Sequence, residues 1–509
     1  MQRIMSEYKH YVWIALLLWV IMFIISPDSY AHHLFDRDDS AIFFTSGKAL
    51  MNGMTPYVDF ADSKGPLLWL IYGVGYLISH YDYTGVFWLS WIAYSIAFAF
   101  IYRIAFIFLT DKKLSLITSV AMMMLVFYPW FHYEIKSEDW CQPFVAATIY
   151  YACRLIYSPQ ADKHDVRTAF LVFGMSFAAC LLIKFSVAAM LSSIYLYMCY
   201  HLLRERHAVV LPTMWSIVGA LALASPFVIY LIFVGAFDAF VNEYFIHTLM
   251  TIDNSQYHSY IHELLYHMGR SDRVLYFTAS LAGCCGIWFI KRRSPLFLPL
   301  VTCVFWALSS RHADSHYFNA CTILSVFFVI CIVYTYKQNI IQNYRLATTA
   351  TMAFTFAFTV LTNSFISGYL NPTFAMVKSP YLNDMEQVYK ITSTVNNPKI
   401  IFYKSLDRGD GIKADALPGS VYWTSQKGAS KHMEQIQTDD IKAHKADFVI
   451  TESLDSAALD RQIAELQAYG YNMAYRFKAK DKWGLRRALL SWCKQEAASL
   501  HANYNFVKQ

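Results

Sequence analysis

Three short polar stretches interrupt the apolar start of this 509-residue chain: Asp38-Asp39-Ser40, Gly53-Met54-Thr55-Pro56-Tyr57-Val58-Asp59 and Asp62-Ser63-Lys64-Gly65-Pro66-Leu67-Leu68. Carboxylates and a lysine gathered in one loop of an otherwise apolar chain make that loop the best candidate for chemistry at a membrane surface. Further on, Ser137-Glu138-Asp139-Trp140 adds a second acidic pair, Ser310-Arg311 with His316-Tyr317-Phe318 adds basic groups, and Lys184 stands inside a long apolar tract. Each also has an ordinary explanation. Asp38 and Asp39 sit where an N-cap and a first-turn acid would, and Ser137-Glu138-Asp139 precedes an apolar helix in the same way. A lysine at a turn can snorkel to water. Spacing leaves cap and site open for both acidic pairs.

The elements that must hold these groups are membrane spans. Hydrophobic residues make up 56% of the chain and charged ones 15%, and runs such as Trp13 to Ile25 and Val86 to Phe108 approach the ~20 residues needed to cross a bilayer. The first run leads into Ser26-Pro27-Asp28 without a small-x-small pattern, so it reads as an uncleaved helix. A net charge of +6 with no basic cluster alternating with aromatics excludes nucleic acid as a partner. The ten cysteines lie mostly singly in apolar runs, without a disulfide framework or a CxxC site.

Lys and Arg collect on the cytoplasmic side of short loops. Five basic stretches (Lys112-Lys113, Arg154 to Arg167, Arg204 to Arg206, Lys291 to Arg293, Lys337 to Arg345) share that side only if Leu67 to Ser79 does not cross and Thr168 to Leu203 crosses twice. The former is ~20 Å long and the latter ~54 Å as single helices, so both conditions are reasonable, with Lys184 marking the turn. The expectation is a polytopic α-helical membrane protein of about eleven crossings, N-terminus cytoplasmic and C-terminus extracytoplasmic. Residues 27–83, 131–139, the Lys184 turn, 235–272, 309–317 and the tail then share the outer face.

Ser40 to Leu50 has the spacing of an amphipathic helix lying on the bilayer, and Leu67 to Ser79 that of an interfacial or re-entrant helix. Trp69, Tyr72 and Tyr76, with the aromatic loop Phe237 to Tyr266, could line a groove for a lipid tail or form an interfacial belt. After Asn371-Pro372 the character changes. Strand signals at Lys399 to Tyr403, Ala446 to Ile450 and Asn472 to Phe477, with a helix at Ser456 to Ala468, suggest a small α/β domain. The chain divides into a membrane domain, 1–365, and an extracytoplasmic domain, 366–509. The histidines of His262-Glu263-Leu264-Leu265-Tyr266-His267 are one residue too far apart for a zinc helix; His258 with His262, and His32-His33, have no evident third ligand.

The first-loop pattern from Asp39 through Gly53-Met54-Thr55-Pro56-Tyr57-Val58-Asp59 to Lys64-Gly65-Pro66-Leu67 resembles that of the GT-C membrane glycosyltransferases, in the bacterial branch related to protein mannosyltransferases and the lipid A aminoarabinose transferase. Ser137-Glu138-Asp139-Trp140-Cys141-Gln142-Pro143-Phe144 resembles that family's second-loop acidic motif, and Ser310-Arg311 with His316-Tyr317-Phe318 a later His-Tyr element. The last departs from the pattern, because Asn319-Ala320-Cys321-Thr322 lacks the usual proline. The resemblance implies an inverting enzyme of the cytoplasmic (inner) membrane. It would move a sugar from a polyprenyl-phosphate to a glycan, lipid or protein acceptor at the outer face, as in cell-envelope or lipopolysaccharide modification. It also implies Asp39 as base, with Asp38 as the neighbouring alternative, and Glu138, more than Asp139, as the second acid. Lys64 is implied as the donor-phosphate ligand, with Lys184, Arg311 and His316 as further candidates. The resemblance implies no fixed cofactor: some members use a divalent cation and others do not, and Asp39 and Glu138 are the residues that would hold one. The alternative is a transporter or flippase for a lipid-linked saccharide, which would place charges at mid-bilayer and show internal pseudo-symmetry.

Overall fold

The computed structural model describes residues 2–26, 28–30, 39–127, 135–158, 162–249, 281–287, 319, 322–370, 380–425, 431–453, 455–476 and 486–491. Its first part is helical: α1 (Gln2–Ile25), α2 (Asp39–Met51), α3 (Pro66–Ile78), α4 (Thr84–Leu109), α5 (Lys112–Val126), α6 (Ser137–Tyr157), α7 (Lys163–Ile183), α8 (Phe185–Arg204) and α9 (Val210–Phe233). A single turn, α10 (Phe237–Phe240), runs into a π-helical stretch, Val241–His247, and later come α11 (Val326–Thr335), α12 (Lys337–Gln342) and α13 (Tyr344–Leu370). Among the described residues, five helical stretches are long and apolar enough to cross a membrane: Tyr8–Ile25, α4, α7, α8 and α9. The chain is a multi-pass membrane protein.

Two local features follow from length and backbone chemistry. α3 has 13 residues, too few to span a ~30 Å hydrocarbon core. It starts with Pro66, whose fixed φ and missing N–H suit a first helical position. The long tract between Thr168 and Leu203 breaks at Lys184, whose backbone is extended at φ −153° and ψ 104°. Tyr195 then stacks on Phe173 with ring centroids 4.8 Å apart. These two rings are equidistant in sequence from Lys184, the signature of an antiparallel hairpin. α7 also packs backbone to backbone on α9. A Cβ at Gly174 would lie 1.9 Å from the Ser216 carbonyl oxygen, and one at Gly219 2.2 Å from that of Leu171. Small residues let apolar helices approach in this way.

The C-terminal part holds α14 (Pro380–Thr392), β1 (Lys399–Tyr403), α15 (Asp410–Lys413), β2 (Leu417–Pro418), α16 (Lys431–Lys442), β3 (Phe448–Ser453), α17 (Ser456–Ala468), β4 (Asn472–Arg476) and β5 (Arg486–Ser491). The sheet order is β2-β1-β3-β5-β4. β1 is parallel to β2 and to β3, and β5 lies antiparallel between β3 and β4. Alternate residues of one strand serve two cores. Ile401, Tyr403, Val449 and Leu490 pack with Leu459, Ile463 and Leu466 of α17. Ile400, Phe402, Phe448 and Ile450 belong instead to the core that continues into the helical bundle. The period of two along a strand thus joins the sheet to the membrane part.

This joint corrects the expectation for α2. The helix does not lie half-exposed on a bilayer, because every residue from Ser40 to Ala49 is buried. α3 covers one side, with Gly47 against the Gly73 backbone, and the C-terminal unit covers another, where Thr45 meets Asp407 and Lys48 meets Asp415. Trp69 and Tyr72 of α3 are likewise fully buried, so they form core rather than an interfacial belt.

The loop before α3 rests on the α7–α8 break. Gly65 N donates to Ile183 O at 3.2 Å, and a Cβ on Gly65 would sit 2.1 Å from Leu182 O. Gly65→Ala is expected to cost ~1–3 kcal/mol through overpacking and to lower the thermal unfolding midpoint in detergent. An unchanged midpoint would show that this loop and the break are not in contact.

Candidate functional site

α2 begins at Asp39 and α6 at Ser137, with Lys136 as its N-cap. These helix starts face each other. Ser40 Oγ donates to the Ile135 carbonyl at 3.2 Å, and Tyr72 OH of α3 donates to the same oxygen at 2.9 Å. That three-way contact brings Lys136 Nζ to 2.7 Å from Asp39 Oδ2. The lysine side chain is 9% exposed and the aspartate 34%, so the carboxylate is both neutralised and reachable.

One turn into α6 the two acidic residues separate in role. Asp139 is held by three donors: its Oδ2 accepts from Lys136 N at 2.9 Å, and its Oδ1 accepts from Tyr94 OH at 2.8 Å and Asn319 Nδ2 at 3.2 Å. Glu138 is buried, accepts from Ser137 Oγ at 2.9 Å, and pairs with Lys184 at the α7–α8 break. Lys184 therefore points into an ion pair instead of snorkelling to water.

The first-loop motif folds as a tight turn. Pro56 bridges Phe60, Tyr57 N donates to Phe60 O at 2.7 Å, and Tyr57 takes a left-handed φ of 64°. That conformation costs a non-glycine residue ~1–2 kcal/mol. It is held by burial of the ring against Trp69 (centroids 4.6 Å apart) and Phe240 (5.2 Å), and by the hydroxyl, which donates to Lys64 O at 2.9 Å. Lys64 Nζ then lies 5.5 Å from the Phe43 ring centroid and 3.1 Å from Ser63 Oγ. Phe43 is one turn after Asp39 on α2, so the two share a helix face. Among the described residues Lys64 has no carboxylate partner.

Asp39, Glu138, Asp139, Lys64 and Lys184 are thus tied together through α2, α3, α6 and the α7–α8 break. Asp38, Arg311 and His316 lie outside the described residues, as do His32, His33, His258, His262 and His267. Sequence reasoning gave no role to Lys136, the partner of Asp39, nor to Tyr94 and Asn319. The only signal for Lys136 was its place beside the acidic pair. Asn319, where the family pattern is interrupted, also accepts from Gln142 Nε2 at 3.0 Å, linking the later element to α6.

The donor set does not fit a divalent ion shared by Asp39 and Glu138. Each carboxylate is paired with an ammonium group, whereas hard cations gather oxygen ligands. Elsewhere among the described residues Asp162, His164 and Asp165 come within 4.8 Å of one another. Asp162 is engaged as the cap that accepts from Asp165 N at 2.8 Å, and Asp165 pairs with Arg154 at 2.6 Å.

The C-terminal unit closes over the same region. Thr45 Oγ1 of α2 donates to Asp407 Oδ2 at 3.0 Å, Ala61 N of the first loop to Val421 O at 2.8 Å, and Tyr422 OH to Glu243 Oε1 at 2.9 Å. Burial first, and then the neighbouring Asp410, push the Asp407 carboxyl up to about 6, despite hydrogen bonds from Gly409 N and Gly411 N.

Residues 63–230 match the family described as Dolichyl-phosphate-mannose-protein mannosyltransferase. The crystal structure of ArnT from Cupriavidus metallidurans bound to undecaprenyl phosphate is similar over 96% of this chain and 99% of that one, with a TM-score of 0.61 at 11% identity. The apo form of the same protein gives 0.59 at 12% identity, covering 94% and 97% of the two chains. Such identities establish the fold. Among curated protein sequences none matches the chain.

The Asp407 shift sets a pH dependence for the closed arrangement. With about 6 in the folded protein and ~3.9 unfolded, the folded state keeps a proton that the unfolded chain has already released. Stability therefore falls as pH rises from about 4 to 6, by up to roughly 3 kcal/mol, and levels off above. Asp407→Asn should flatten this part of the unfolding profile. Equal slopes in both proteins would show that Asp407 does not titrate there.

Proposed function

Since the chain has the GT-C fold of membrane glycosyltransferases, we propose that it is an inverting glycosyltransferase. It takes a sugar from a polyprenyl-phosphate and passes it to an acceptor hydroxyl or amine at the outer face of the cytoplasmic membrane. The observation that carries this reading is the one-third exposed Asp39 carboxylate, paired with Lys136 at 2.7 Å, on the helix face where Lys64 lies over Phe43.

The chemistry follows from these two groups. Asp39 accepts the proton of the acceptor as its oxygen or nitrogen attacks the anomeric carbon. The bond from that carbon to the phosphate oxygen breaks on the opposite face, which inverts the configuration, and the phosphate leaves with the electron pair. The sugar passes through an oxocarbenium-like state while negative charge grows on the phosphate. Lys64, a compact point charge without a carboxylate partner among the described residues, meets that charge. Lys184 is held by Glu138, so this pair serves to orient the phosphate and acceptor rather than to supply a further unmatched cation. The family match at residues 63–230 supports the choice of a lipid-phosphate donor, and residues 366–509 are read as the extracytoplasmic domain that closes the site from outside.

Purified protein with a labelled polyprenyl-phosphate sugar tests the base. Asp39→Asn should lower kcat by ~10²–10⁴-fold, the usual worth of a positioned base, with folding and donor binding retained; normal turnover would remove Asp39 from the mechanism. Lys136→Met should lower kcat/KM about tenfold, the equivalent of ~1.4 kcal/mol of lost orientation at a partly exposed pair, and Lys136→Arg should recover part of it. Equal rates in Met and Arg variants would show that the cation does not orient the base.

A further inference from the structure

A chain of contacts runs from the C-terminal unit to the lysine at the α7–α8 break. Its outer end is rigid: Phe402 N of β1 donates to Trp423 O at 2.7 Å, and the buried Gln437 donates through Nε2 to Phe402 O at 3.0 Å and Tyr422 O at 2.9 Å. From this support Tyr422 OH reaches Glu243 Oε1 at 2.9 Å. Glu243 lies in the π-helical stretch Val241–His247, a widened turn of the kind found as short pieces at functional positions.

The next residue, Tyr244, is fully buried. Its hydroxyl donates to Leu181 O at 2.8 Å and accepts from Phe185 N at 3.0 Å. One side chain thus satisfies a terminal carbonyl of α7 and a terminal N–H of α8, groups that a helix break leaves without partners. Between them stands Lys184, whose ammonium meets Glu138. If the π turn relaxed to α-helical pitch, Tyr244 would rotate away from the break and both backbone groups would lose their partner.

We propose that Tyr422 and Glu243 are positioning residues, which hold the π turn so that Tyr244 fixes the break and Lys184 stays aimed at Glu138. The C-terminal unit then acts on the site mechanically, without supplying a catalytic residue. The effect on turnover rests on the transferase reading above; the coupling to the break does not.

The test uses the full chain in detergent, with hydrogen exchange read on peptides covering 181–187 and sugar transfer measured in parallel. Tyr422→Phe removes the donor with little change of shape. It should speed exchange at the Phe185 amide and lower kcat about tenfold, the equivalent of ~1.4 kcal/mol, while the KM for donor and the thermal midpoint stay near wild type. Glu243→Gln keeps an acceptor oxygen and should remain close to wild type in both readouts. In a Lys184→Gln background Tyr422→Phe should add no further loss, since both act through one group. Unchanged exchange at 181–187 in Tyr422→Phe overturns the coupling, and an additive loss in the Lys184→Gln background overturns the positioning role. A wild type that transfers no sugar from a polyprenyl-phosphate refutes the transferase reading, and the exchange measurement then decides the coupling on its own.

Discussion

A charged side chain packed into an apolar bundle needs an opposite partner, because removing either charge from water costs several kcal/mol. Two such pairs set the geometry here, Asp39 with Lys136 and Glu138 with Lys184. Each pair joins elements distant in sequence: the first fixes the start of α2 against the start of α6, and the second fixes α6 against the α7–α8 break. Around them the backbone is positioned by shared acceptors, as at Ile135 O, where Ser40 and Tyr72 converge.

The same constraint explains why the break at Lys184 is sharp. An uninterrupted helix would carry this lysine into the apolar interior without a partner. The extended backbone at Lys184 ends α7 level with Glu138, and Gly65, which has no Cβ to collide with Leu182 O, lets the first loop rest on that point. Lys64, the neighbouring residue, is thereby brought to the region.

The sequence was legible where one local signal suffices. The tract from 168 to 203 is too long for one crossing, so a turn had to fall near Lys184, and Phe173 against Tyr195 shows it. The β-branched run at 399–403 forms β1 and that at 446–450 overlaps the first half of β3, and α17 occupies 456–468 as its pattern suggests. β5 was not visible, since Arg486-Arg487 hides a strand whose later residues are buried between β3 and β4. α2 was misread for a related reason. Its pattern is that of a surface helix, and the elements that cover its polar side, Asp407 and Asp415, lie more than 360 residues away. Lys136 has the same difficulty: nothing local announces a partner 97 residues earlier.

Counting charge at the site separates its lysines further than motif position does. Lys136 and Lys184 each face a carboxylate, so under the proposed transferase reading a phosphate there competes with a bond already made. Lys64 faces an aromatic ring and a hydroxyl, both weak partners for an ammonium, and has no carboxylate to leave among the described residues. A group that must meet charge appearing only as a bond breaks is most effective when it is held in place without being neutralised beforehand. The strained turn at Tyr57 serves that end: its hydroxyl grips the Lys64 carbonyl, fixing the backbone while the ammonium remains available. The cost of the left-handed Tyr57 is thus borne by the aromatic packing against Trp69 and Phe240.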